Sequence, residues 1–115
     1  MISLRSESTA PLTEPTYCIL AALASPRHGY AIMQWVGEMT EQRVKLGPGT
    51  LYGALTSLQS RGFIAAVGEG PEGNERRKVY GLTERGRALL ETETSRLESI
   101  ARVGRQALEN QGRFQ

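Results

Sequence analysis

Aspartate is absent from this 115-residue chain; all twelve acidic residues are glutamate, and there is one histidine, His28, and one cysteine, Cys18. A Ser-His-Asp triad therefore has no third member unless a glutamate replaces it. A zinc site would have to combine Cys18, His28 and distant glutamates without the short spacings such sites use, so no metal or other cofactor is expected. A lone cysteine closes no intrachain disulfide, which fits a reducing, cytoplasmic setting. Long apolar runs are missing too. The longest covers residues 17–24, too short for a membrane span and too far along for a usual signal peptide. Aromatic residues make up 6% and hydrophobic residues 39%, enough for one modest core that self-association would help to stabilise. The net charge of +2 permits a nucleic-acid partner without requiring one. The balance is against an enzyme and against a membrane partner.

What is present reads as alternating punctuation and apolar stripes. Residues 1–10 show no period and are expected to form a loosely docked or disordered tail. A first helix is expected over 14–24, with Thr13 as N-cap, Pro15 in the first turn and Ile19, Leu20 and Leu23 on its apolar face. Ser25-Pro26 should end it. A second helix, 28–40, is apolar nearly all round and should be wedged between neighbours. A short extended stretch at 43–46 and a sharp turn at 47–49 follow. The third helix restarts at Thr50, places Leu51, Leu55 and Leu58 on one stripe, and stops at Gly62 as a left-handed C-cap. Two strands, 63–67 and 77–82, flank a Gly/Pro/Asn turn and form a hairpin. From Thr83 a long helix runs to about residue 110, a rod of roughly 42 Å.

That order predicts a mainly α protein with a small β-hairpin. It is a winged helix-turn-helix over 11–83 carrying a C-terminal dimerisation helix over 84–115. The leucine stripe of the third helix sends Gly49, Thr50, Gly53, Thr56 and Ser57 outward. Small and hydroxyl-bearing positions suit close approach to phosphates and base edges in a major groove. Taken alone, such a helix face reads equally as a DNA-reading surface or as a solvated one. The hairpin tips the balance, because Arg76, Arg77 and Lys78 stand together at the base of the returning strand, where phosphates would lie. The acidic turn, with Glu69, Glu72 and Glu75, argues for contact at that base rather than deep insertion of the tip.

Three ordered runs then become informative together: H-G-Y-A-I at 28–32, G-T-L-Y-G-A-L-T-S-L-Q-S-R-G-F-I at 49–64, and R-R-K-V-Y-G-L-T-E-R-G-R-A-L-L at 76–90. They resemble the signature of the PadR family of bacterial transcriptional regulators. The resemblance implies a homodimeric, DNA-binding repressor whose third helix enters the major groove of double-stranded DNA while the wing follows the backbone. It also implies that Tyr52 lies at the DNA surface, that Tyr80 packs the wing, and that Thr83 and Gly86 form the strand-to-helix junction. The chain departs from the family in having Gly53 where a proline often follows the tyrosine, and Thr56 and Ser57 where basic residues are frequent. The operator sequence is thus left open.

The last helix carries Leu90, Leu97, Ile100, Gly104 and Leu108 on one stripe, with Ala101 and Ala107 beside it. A body this small does not cover such a rod, so pairing with the same helix of a second copy is expected, and by resemblance the first helix, through Ile19, joins that interface. Two groove-reading helices would then meet half-sites ~34–36 Å apart. Trp35 has two uses: a core side chain, the commoner fate, or a ring stacked on a small planar hydrophobic or aromatic effector in a dimer cavity, as in drug-responsive relatives. The G-x-G-x-x-G at 68–73 is a wing turn, since a strand rather than a helix follows it. His28 reads as a cap or surface residue. Cys18 reads as a small buried hydrophobe. The leading alternative function is a winged-helix adaptor whose rod docks a different protein.

Overall fold

Capping side chains set where the helices start. In the computed structural model, which describes residues 10–68 and 78–111, Thr13 accepts a hydrogen bond from the Thr16 amide at 3.3 Å and opens α1, Glu14–Ala22. His28 opens α2, Gly29–Met39, its Nδ1 accepting from the Ala31 amide at 3.4 Å. Thr83 opens α4, Glu84–Glu109, by accepting from the Gly86 amide at 3.0 Å. Each cap satisfies an amide that the first helical turn leaves without an intrahelical partner.

Helix α3, Pro48–Ser60, differs: Gly47 is its N-cap and supplies no side-chain bond, and Pro48 stands at the first helical position. The expected turn at 47–49 is therefore the opening of the helix itself, because proline's fixed φ suits that position. The helix ends as expected. Gly62 has φ +84°, its amide donates to Gln59 O at 3.0 Å, and the Phe63 amide donates to Leu58 O at 2.9 Å. This paired closure satisfies two terminal carbonyls, and glycine enters the left-handed region without a Cβ penalty.

The strands are β1, Arg27–His28, β2, Ile64–Gly68, and β3, Val79–Leu82. They form one antiparallel sheet in the order β1-β3-β2, with Arg27 opposite Tyr80, Ile64 opposite Leu82, and a bulge between Ala66 and Gly68. The hairpin was legible; β1 was not. The extended stretch expected at 43–46 forms no strand; a turn at 41–42 precedes it and the chain still bends at 43–44. Glu41 and Gln42 both take positive φ, 53° and 67°, the Gln42 amide closes on Gly37 O at 2.7 Å, and the Val44 amide donates to the Thr40 hydroxyl at 3.1 Å. Two consecutive left-handed residues turn the chain sharply just before that stretch, and no part of it joins the sheet.

Ile19, Leu20, Leu23, Ile32, Val36, Leu51, Leu55, Leu58 and Ile64 fill one core shared by α1, α2, α3 and β2. Helix α2 is less wedged than its composition suggests, with Tyr30 60% and Met39 64% exposed. The first part of α4 is pinned by polar bonds to α1 and to the residues just before it. Glu93 Oε1 accepts from the Leu12 amide at 3.1 Å, and the Tyr17 and Thr94 hydroxyls are 2.7 Å apart.

Candidate nucleic-acid interface

The sequence of α3, PGTLYGALTSLQS, has no ionisable side chain except that of Tyr52. Its buried residues are Leu51, Leu55 and Leu58, at most 2% exposed, which seat the helix on the core. Gly49, Thr50, Gly53, Thr56 and Ser57 are all exposed, as the stripe predicted, and so is Tyr52, at 42%. At the opening of the helix, Gly49 and Thr50 carry amides that no earlier turn can satisfy, an end that favours anionic oxygens.

Glycine at 53 stands inside a helix, where it costs roughly 0.5–1 kcal/mol relative to alanine. A Cβ added there, or at Gly49, would meet nothing within 4 Å. Among the described residues nothing requires these side chains to be missing. The face is smooth toward the outside.

Tyr52 is held from behind. A Cβ on Gly29 would overlap the Tyr52 hydroxyl and come within 3.0 Å of its Cζ, so the phenol lies directly over the start of α2. Gly29 sits inside the H-G-Y run, yet sequence reasoning gave it no role; only the tertiary contact reveals one.

Lys78 is half-buried just before β3. Arg76, Arg77 and the acidic turn lie outside the described residues. At the far end of α3 are two cations that sequence reasoning passed over. The exposed Arg61 and Arg85 guanidiniums lie 5.1 Å and 4.7 Å from the centroid of the Phe63 ring, a distance at which cation and π-face attract.

The expected self-association residues divide. Ile19 is 0% exposed within its own core, so it has no surface to offer a second copy; this corrects the expectation from resemblance. Leu90 is half-buried against the same core and serves the body first. Leu97 is 37% exposed, Ile100 59% and Leu108 62%; Ala101 and Gly104 are exposed beside them. Val103, at 62% exposure, extends this face and was missed, although its place three residues after Ile100 was a usable signal.

Trp35 is half-buried against the core, with the Arg27 guanidinium 5.3 Å from its ring centroid and Arg27 Nε donating to Ala22 O at 2.8 Å. Cys18 is half-buried on α1, and burial, with Glu14 nearby, pushes its thiol above the usual range. Glu93 is 5% exposed. The Arg96 guanidinium, donating twice to it at 3.1 Å, holds its carboxyl below the usual carboxylate range against the opposing effect of burial, with help from the Leu12 amide. Among the described residues no three metal-ligating side chains gather, and no helix is long and apolar enough to cross a membrane.

This arrangement of helices and sheet has close counterparts. The crystal structure of a PadR-family transcription regulator from Clostridium difficile is 28% identical, covers 84% of this chain and 99% of its own, and superposes with a TM-score of 0.69. Bacillus subtilis PadR, solved in complex with operator DNA, is 26% identical over 71% of this chain and 47% of its own, with a TM-score of 0.61. A transcriptional regulator of Mycobacterium tuberculosis is 35% identical over 75 residues, 65% of this chain. The chain spans 24% and 66% of the lengths of two curated relatives. The sequence profile of the transcriptional regulator PadR-like family matches residues 19–92, and the chain therefore belongs to that family of transcriptional regulators.

Proposed function

We propose that the protein is a sequence-specific DNA-binding repressor that acts as a homodimer on a pseudo-palindromic operator and is released by a small hydrophobic or aromatic effector. The observation that carries this reading is the outward face of α3. It is uncharged and exposed, and it is smoothed at Gly53 by a missing side chain that nothing among the described residues requires. A duplex groove explains that smoothness, because backbone and base edges approach a helix closely only where side chains are short. The similarity to Bacillus subtilis PadR, solved on its operator, supports the same use of the fold. Gly49, Thr50, Tyr52, Gly53, Thr56 and Ser57 would face the groove. Arg76, Arg77 and Lys78 would meet phosphates. The exposed half of α4 would pair with its copy, and Trp35 would line an effector cavity between copies.

Binding to the DNA upstream of the protein's own gene, measured across a salt series, tests this. A marked preference over scrambled duplex is expected, and Arg77→Ala should reduce the salt slope by about one unit. Equal affinity for operator and scrambled DNA sinks the reading. The exposed apolar face of α4 also favours the adaptor alternative, in which that face takes a different protein; sedimentation decides between them. A concentration-dependent dimer supports the repressor, and a monomer at micromolar concentration supports the adaptor.

A further inference from the structure

Gly29 is buried at the first position of α2, directly after the His28 cap. A Cβ there would collide with the hydroxyl end of Tyr52 and press within 3.3 Å of Leu51 Cδ2. Glycine is the poorer helix former, so its presence in a capped helix asks for a tertiary reason. The reason on view is the phenol. The hydroxyl end of Tyr52 rests against bare backbone, while the residue as a whole, on the outer face of α3, is 42% exposed.

From this contact we infer that Gly29 is a positioning residue. It forms a side-chain-free seat that fixes the Tyr52 ring at the DNA-facing surface, with the hydroxyl held ready to donate to a backbone phosphate oxygen. The inference rests on the DNA-binding reading above. A methyl group at position 29 would push the ring outward or aside, and a tyrosine that has lost its seat must be ordered again on binding. The first helix of the pair thereby sets the geometry of a contact made by the second.

A double-mutant cycle tests the seat. Gly29→Ala, Tyr52→Ala and the double variant are titrated against the operator by fluorescence anisotropy, with thermal unfolding recorded for each. Gly29→Ala is expected to weaken binding about tenfold, the size of one lost hydrogen-bonded contact, yet to add nothing in the Tyr52→Ala background. Unchanged affinity in Gly29→Ala, or full additivity in the double variant, overturns the inference. If Gly29→Ala fails to fold, recovery of folding in the double variant supports the seat, and no recovery overturns it. If the wild-type protein shows no preference for operator, the DNA-binding reading falls. The seat is then decided by the Tyr52 ring-proton shifts of the free protein: they must move in Gly29→Ala, and unmoved shifts overturn it.

Discussion

The two halves of α4 carry one continuous stripe and meet opposite surroundings. In the first half Gly86 is buried, Leu89 and Leu90 pack on the core, and Glu93 is 5% exposed among its hydrogen bonds. In the second half Leu97, Ile100, Val103 and Leu108 stand 37–62% exposed. Helical periodicity reports that a face exists; it does not report which neighbour covers it. The same small residue makes the contrast sharper. A Cβ at Gly86 would overlap the Phe63 carbonyl oxygen, whereas at Gly104 it would meet nothing within 4 Å.

The largest expected effect breaks the first half. Gly86→Ala forces a methyl against main chain that cannot yield, and should cost about 3 kcal/mol of folding stability, read by urea unfolding. A loss under about 1 kcal/mol would mean that the junction is loose. Next comes Glu93→Gln, which keeps an oxygen for the Leu12 amide but removes the charge that Arg96 engages; about 1–2 kcal/mol at neutral pH is expected. The sign with pH follows from the depressed carboxyl. Its stabilisation is complete above the ordinary carboxylate pKa of about 4.3 and is lost as pH falls through the lower folded value. Unfolding midpoints of wild type and Glu93→Gln should therefore converge in acid; a constant gap would remove the ionised Glu93 as its cause. Smallest is Gly104→Ala, which should leave monomer stability unchanged or raise it by up to about 1 kcal/mol. A weaker dimer in the same variant, seen by sedimentation, would mark position 104 as a close crossing of two rods.

What the sequence revealed tracks how local each cause is. The leucine stripe of α3, the Gly62 stop and the Thr13 and Thr83 caps all depend on neighbours within four or five positions, and each stands where it was expected. Strand β1 depends on pairing with Tyr80 and Val79, some fifty residues away, and two residues, Arg27 and His28, carry no alternation to read. The turn at Glu41-Gln42 was hidden because neither residue advertises left-handed backbone. Glu93 was given no role from the sequence, since the Leu12 amide it accepts from lies 81 residues away. Within the candidate interface, the outward residues of α3 were legible from one buried stripe. The seat beneath Tyr52 was not, since it joins two helices.

The Thr83 hydroxyl has a mechanical consequence. It donates to Gly62 O at 2.6 Å and accepts from the Gly86 amide at 3.0 Å, while the Thr83 amide donates to Phe63 O at 3.1 Å. One short side chain thus bolts the exit of α3 to the entrance of α4. A rotation of the rod would reach α3 through this joint, which places the two helices as arms of a single crank.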